Sequence, residues 1–555
     1  LIAAVACSPS PRAGVAPAQT RGGDLMVSTR AEPQSLNPMT KRDTTTQLIS
    51  VLTHARLFRV NAATQDLEPW LVDRWSRSSD GLEYRLTLKP GVLFSDGAPL
   101  TADDVVFSLS AVYAPGSVFG DALMVDGKPL HAEAVDPRTV VLTFPTPFSP
   151  GLRLLDALPI LPKHKLHAVL TEGRLGSAWN VATPLGDIAG LGPFILTAYA
   201  PGERLTFTRN GRYFRKDPGG TPLPYLDRIV VEIVPDQDAQ MLKLQSGQSD
   251  TTATEIRAED YAQLKRAADA GSFQILETGT AFDADAFWIN LAPGAFAKDP
   301  RRSWIQRDEL RQAISLAVDR QIFVDTVFLG AATPVWGPIS PENRRWYSDQ
   351  IPRSAHDPAR ARMLLASVGL TDRNSDGLLD DASGQPAHLT LLTAKGQTPL
   401  ERGAFVIRDE LRKIGLTIDV VPLEPNALVQ RFVAAAGYDA VYFHLASTDI
   451  DPAMQVDFWR SNGGAHVWNL GQAKPSTEWE GAIDGIMARQ VGTFDDDERT
   501  RLFVEVQKIF GEHLPVVSFA APRLFIGASR RMTNLTPAVT RPQLLWAADT
   551  IAVTH

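Results

Sequence analysis

The chain predicts an α/β fold divided over more than one domain, and three observations carry that prediction. At 555 residues it exceeds what one hydrophobic core normally organises, so two or three domains are expected. Strand-period and helix-period segments alternate along most of its length, the grammar of helices covering sheets. The stretch Leu67 to Leu109 shows this most fully. In it Leu82, Tyr84, Leu86 and Leu88 alternate with Glu83, Arg85, Thr87 and Lys89, the period of a strand with one buried face. Pro90-Gly91 turns the chain, Val92 to Phe94 start a second strand, and Asp96-Gly97 turn it again. Thr101 then reads as a helix N-cap, with Asp104 completing a capping-box variant ahead of Val105, Val106 and Leu109.

Composition narrows the function classes. The chain is 44% apolar and 21% charged, ordinary for a globular protein, and carries a net charge of −8. That balance argues against a nucleic-acid-binding surface and against attraction to anionic membranes. No apolar run has the length of a membrane-spanning helix. The single Cys, at position 7, allows neither an intramolecular disulfide nor a cysteine metal site. Its context, LIAAVAC followed by SPSPRAGVAPAQTRGG, looks like the end of a secretory signal peptide. It is similar to a bacterial lipobox, which would make Cys7 the lipidated residue and Ser8 to Gly23 a flexible tether, with the recorded chain beginning late.

The remaining elements follow in order. Asp24 to Ser28 open a strand, PQSLNP breaks it, and Thr44 to Phe58 read as a helix. Val125 to Lys128 form a hairpin turn and Ala132 to Phe148 a further hairpin strand. His164 and His167 share a helical face, but no third ligand lies near them in sequence, so packing is the expected role. Ile229, Val231 and Ile233 alternate as a strand; Asp238 to Gln245 make a helix ended by Gly247. Arg307 to Pro341 give two helical segments with Gly330 as a stop, and Leu310, Ala313, Ile314, Ala317 and Val318 fall on one face. After the helix His356 to Gly369 comes DRNSDGLLDDASG. Asp372, Asn374, Asp376 and Asp380 have the spacing of a calcium loop, although Ser383 stands where a bidentate Glu belongs; an Asx-rich turn is the competing expectation. LTLLTAKG, the helix Leu400 to Gly415 and LTIDVVPLE repeat the strand–helix–strand unit, and Tyr438 to Phe443 are a short buried strand. The loop His444 to Asn469 concentrates Asp449, Asp451, Asp457, Trp459, His466 and Trp468 beyond that strand's carboxyl end, where open α/β sheets bind ligands. Asp495 to His513 form an amphipathic helix, and LPVVSFAAPRLFIGAS supplies two last strands.

Several of these words go further than their periodicity. LEPWLVDRWSRSSDGLEYRLTLKPGVLFSDGAPLTADDVVFSL resembles the hallmark segment of family 5 extracellular solute-binding proteins, the oligopeptide- and dipeptide-binding group of ABC importers. PLGDIAGLGPF with the following strand pair, PLPYLDRIVVEIVPDQDAQMLKLQSGQSD and RQAISLAVDR are similar to further words of that family in the same order. The resemblance implies a two-lobed periplasmic-binding-protein-like fold (type II, the large three-domain variant) with a cleft and a hinge. Residues 24–59, 185–286 and 525–555 would form lobe I, 60–184 an extra subdomain packed on it, and 287–524 lobe II. It also implies capture of a solute outside the cytoplasmic membrane, at its outer face or in the periplasm, and delivery to ABC permease subunits with their ATPase. Peptides are the first ligand class; nickel complexes, opines and oligosaccharides are carried on the same fold, and a sensor or chaperone-like binder is the alternative role.

In peptide-binding relatives an aspartate after the strand matching YDAVYF pairs with the peptide's α-ammonium. Counting back from Pro452, the matching position is Thr448; Asp449 is its neighbour and Asp451 directly precedes the proline. The cleft candidates are therefore Tyr442, His444, Ala446, Thr448, Asp449 and Asp451, with Trp459 and Trp468 as apolar walls. Arg42, Asp43, Thr44 and Tyr113 would face them from the first lobe. No nucleophile elbow, phosphate loop, zinc-protease helix or dinucleotide fingerprint occurs. The carboxylate pairs Asp103/Asp104 and Asp380/Asp381 read as solvated faces, so no enzyme, no cofactor beyond a possible structural calcium ion, and a monomer are expected.

Overall fold

The computed structural model describes residues 21–271, 273–433, 437–445 and 449–554. Two sheets carry two lobes. In the first, Asp24–Thr29 runs parallel to Arg228–Ile233 in the register Asp24 to Arg228, and parallel to Thr251–Thr252. Arg204–Arg209 and Phe194–Ala200 extend one side antiparallel, while Ala520–Ser529 and Phe273–Thr280 complete the other. Leu25, Val27, Ile229 and Val231 are at most 1% exposed, the buried faces that the alternation predicts.

A four-stranded antiparallel sheet, ordered Val72–Arg77, Glu83–Leu88, Thr139–Thr143 and His131–Asp136, packs beside it and shares one continuous core with it. Tyr84, Leu86 and Leu88 face inward from Glu83–Leu88. The expected second strand, Val92 to Phe94, is instead a single bridge between Leu93 and Pro99: the segment is bounded by turns too close to sustain a ladder. The capping box at Thr101 is present. Asp104 Oδ2 accepts from both the Thr101 N–H and hydroxyl at 2.9 Å, and Oδ1 accepts the Lys163 N–H at 2.9 Å. The helix Thr44–Thr53 ends earlier than Phe58, because His54 turns to extended backbone.

The second sheet is ordered Thr417–Leu423, His388–Ala394, Ala440–His444, Asp285–Ile289 and Val516–Val517. Its first three strands are parallel, joined through the helices Thr398–Arg412 and Pro425–Val433. Asp285–Ile289 runs antiparallel between Ala440–His444 and Val516–Val517. The chain passes between lobes twice in adjacent paths, from Phe273–Thr280 into Asp285–Ile289 and from Val516–Val517 into Ala520–Ser529. The stretches that join the two sheets are residues 281–284 and 518–519. Ala332–Pro334, sequentially in the second lobe, pairs with Ala520 to Pro522.

No helix among the described residues is long and apolar enough to cross a membrane. Cys7 lies outside the described residues.

Candidate functional site

The two crossings are tied by one buried carboxylate. Asp285 opens the first strand of the second sheet and is 3% exposed. Its Oδ1 accepts the backbone N–H groups of Phe519 at 2.8 Å and Ala520 at 2.9 Å; its Oδ2 accepts the Tyr442 hydroxyl at 2.7 Å. Burial raises its pKa to about 6, against the pull of those hydrogen bonds. Arg320 closes the same corner by donating to the carbonyls of Ser315, Val335 and Ser518, and burial lowers its pKa to about 10. Tyr442 therefore belongs to the hinge rather than to a ligand wall: it is 0% exposed and its ring lies against Gly403.

Beside this corner is a cavity of about 250 Å³. The crossings contribute Asp283, Asp285 and Ser518, and the second lobe contributes Leu445, Gln455 and Trp459 among others. Its volume lies just under the range typical of small-molecule pockets. The adjoining segment 449–455 spans the gap to the first lobe. Ala453 belongs to the first lobe's core and Met454 packs against it.

Asp449 makes the polar part of that bridge. Arg153, on the short helix Gly151–Leu154 of the extra subdomain, donates Nε at 3.1 Å to Oδ1 and Nη2 at 3.1 Å to Oδ2. Its Nη1 donates to the Gln65 carbonyl at 3.0 Å. Burial raises the Asp449 pKa, and the Arg153 charge opposes that rise. Further contacts hold the lobes together: Ser149 N–H donates to the Val491 carbonyl at 2.8 Å, and the Arg77 guanidinium lies 3.7 Å from the Phe494 ring centroid.

The other sequence candidates separate. Asp451 is a structural ion pair, not a cleft group: Oδ1 accepts Arg499 Nη2 at 2.6 Å with both side chains 4% exposed, and it caps Ala453 N–H. Trp459 does line the cavity, while its ring packs on Phe503 and Phe510. Trp468 does not; its ring lies tilted against His466 with centroids 3.8 Å apart, and its Nε1 donates to Glu480 Oε1 at 3.3 Å. His444 ends its strand half-buried, its pKa lowered by burial with the Asp283 charge opposing. Ala446 and Thr448 lie outside the described residues.

On the first lobe, Asp43 caps the helix Thr44–Thr53 by accepting the Thr46 N–H at 2.9 Å, and Arg42 stacks on Phe119 at 4.8 Å. Tyr113 donates to the Leu123 carbonyl at 2.8 Å and accepts the Leu130 N–H at 2.9 Å. These groups and Thr44 are not among the cavity's lining residues. Sequence reasoning missed Arg153, Asp283, Asp285 and Ser518; the one signal available was a lone carboxylate, Asp285, directly ahead of the apolar run Ala286 to Ile289.

Among the described residues no group of three or more His, Cys, Asp or Glu side chains is arranged to hold a metal ion. The calcium-like loop is folded as Asx turns. Asp372 accepts from Ser375 and Gly377 N–H, Asn374 from Asp376 N–H and Asp376 from Leu378 N–H, while Asp380 bridges back to Thr371. His164 pairs with Asp96 at 2.7 Å, and His167 packs against Phe107.

Comparison with known proteins adds ancestry to this geometry. The profile of the bacterial extracellular solute-binding proteins, family 5, matches residues 66–466. A probable ABC transporter-binding protein of Deinococcus radiodurans is 25% identical over 545 residues, spanning 94% of this chain and 90% of the relative. The oligopeptide-binding protein AppA of Bacillus subtilis is 27% identical over 427 residues, spanning 74% of this chain and 71% of the relative. Among solved structures, the ABC transporter substrate-binding protein CtaP of Listeria monocytogenes superposes with a TM-score of 0.76 at 23% identity, covering 96% of this chain and 100% of that one.

Proposed function

The chain belongs to the bacterial extracellular solute-binding proteins of family 5, and from that premise we propose that it captures a small solute in the hinge cavity and presents it, lobes closed, to an ABC importer. Peptides are the leading ligand class, since relatives such as AppA are named for them. The observation that carries the reading is the placement of the cavity. It is walled by both inter-lobe crossings and lies next to the segment that touches the first lobe. A solute held there contacts groups that change relative position as the lobes open. Its binding energy is then spent on the closed state, which a permease can distinguish from the open one.

The same reading makes the protein a binder without turnover, monomeric, and held outside the cytoplasmic membrane through lipidated Cys7. Its partners are the permease subunits and their ATPase. Incorporation of labelled palmitate that is lost in Cys7→Ser tests the anchor.

Thermal unfolding of protein that has been unfolded and refolded to strip carried-over ligand tests the binding function. The panel holds di- to hexapeptides, amine-blocked peptides, nickel with chelators, and oligosaccharides. A true ligand at a hundred times its dissociation constant stabilises by about 2.7 kcal/mol, a shift of a few degrees. A shift with peptides supports peptide import; a shift with another class alone replaces the peptide label.

A further inference from the structure

The extra subdomain and the second lobe also meet away from the cavity's lining residues, and that contact has the form of a knob in a socket. The knob is Phe494, at the tip of the turn between the helices Glu478–Gly492 and Asp496–His513. Both helices are rooted in the second lobe's core, through Ile483 and Met487 on one and Phe503 and Val506 on the other. Asp495 caps the second helix by accepting the Glu498 N–H at 2.8 Å, so the path of the turn is fixed from within its own lobe. Phe494 itself is half-buried and is not among the described residues of that core.

The socket is Gly81. It lies in the hairpin turn between Val72–Arg77 and Glu83–Leu88, at a φ of +75°, and is buried although Ser79 and Asp80 beside it are exposed. Phe494 covers it: a Cβ on Gly81 would stand 2.5 Å from Phe494 Cε2 and 2.6 Å from Cζ. The turn is held by its own hydrogen bonds, Ser78 N–H to the Glu83 carbonyl at 2.9 Å and Leu82 N–H to Asp80 Oδ1 at 3.1 Å, so its shape is set without the ring. Arg77 lies over the ring from the adjoining strand, a cation on an aromatic face. Beside the knob, Val491 packs against the first core, and its carbonyl accepts the Ser149 N–H. Knob and socket belong to different sides of the two crossings, so any parting of the lobes draws one from the other.

We propose that Phe494 is a positioning residue for solute capture: docked on Gly81 beneath Arg77, it sets the fraction of ligand-free protein in which the lobes are held together. The extra subdomain is thereby the catch of the closing movement. This rests on the reading that the lobes part and close around a solute. Apparent affinity scales with the fraction of protein in the binding-competent state, so this contact changes the affinity for every solute by one common factor and leaves selectivity to the cavity.

Dipolar spectroscopy on the full chain, unfolded and refolded to strip carried-over ligand, tests this with no solute present. Spin labels sit at Val135→Cys on the extra subdomain and Met363→Cys on the second lobe, both exposed positions, in a Cys7→Ser background that removes the only native cysteine. Phe494→Ala is expected to raise the ratio of long to short distances roughly tenfold, with its helical dichroism unchanged. Asn tolerates a positive φ but brings a Cβ that expels the ring, so Gly81→Asn is expected to do the same. The double variant is expected to open no further than either single one, because both remove one contact. Distances unshifted in Phe494→Ala, or two effects that add in the double variant, overturn the inference; opening in Arg153→Met under the same conditions would then leave the movement of the lobes standing. Short distances in every variant, Arg153→Met included, overturn the movement itself and the catch with it.

Discussion

At the scale of single residues, three aspartates of one loop have three different fates, and their partners decide them. Asp451 is matched by Arg499, 4% exposed on both sides. Removing one member of such a pair leaves a buried charge and costs roughly 3–5 kcal/mol. Arg499→Met should lower the urea midpoint accordingly while leaving ligand affinity, measured on the folded fraction, unchanged. Asp285 gives a pH signature. Its folded pKa of about 6 exceeds the ordinary value of 3.8, so the folded state binds its proton more tightly than the unfolded state does. The stabilisation from that proton is full below pH 3.8 and is lost as pH rises through 6, about 3 kcal/mol in all. Asp285→Asn should therefore gain on wild type across that window in urea titrations; parallel curves would show that the carboxyl is not perturbed. None of these fates was legible locally. Asp449, Asp451 and Asp457 share one acidic, Trp-rich loop in sequence, but Arg153 lies 296 positions from Asp449 and Arg499 lies 48 from Asp451.

At the scale of elements, the sequence was far more informative. The alternation in Glu83–Leu88, the cap at Thr101 and the paired segments Asp308–Ala317 and Arg320–Val327 all express local rules, and all are present. The word GLGPF acquires a physical reason. A Cβ on Gly190 would sit 1.9 Å from the Thr53 carbonyl oxygen, and one on Gly192 would sit 2.4 Å from the Thr53 carbonyl carbon, where Gly192 N–H donates to Thr53 O at 2.9 Å. The strand Phe194–Ala200 is thereby seated against the end of the helix Thr44–Thr53. Gly192→Ala forces backbone apart and should cost several kcal/mol, roughly the overpacking range of 1–3 or more. A thermal midpoint within a degree of wild type would remove that role. Val92 to Phe94 misled because a strand period over so short a run lacks a partner of matching length.

At the scale of the molecule, two crossings between two sheets create a hinge, and the Arg153–Asp449 pair draws the far sides together. Arg153→Met leaves Asp449 buried without its cation, a penalty relieved when the lobes part and water reaches the carboxylate. The ligand-free variant should show a larger radius of gyration by small-angle scattering than ligand-free wild type. Adding Asp449→Asn should reverse most of that change. An unchanged radius in the single variant would mean that apolar contacts such as Met454 on the first core hold the lobes together alone. The two-lobed plan was legible through whole words of the sequence, whereas the cavity arises where residues from 283–286, 338–339, 445, 454–459, 465 and 516–518 converge.

The most direct measurement of solute capture at the hinge is ligand-induced thermal stabilisation in wild type beside Ala465→Trp. Ala465 lines the cavity and is exposed, so the larger ring fills space without displacing core. The expected result is a ligand shift of a few degrees in wild type, absent in the variant, with equal ligand-free midpoints. An undiminished shift in Ala465→Trp would place the solute elsewhere on the protein and contradict the assignment of this cavity.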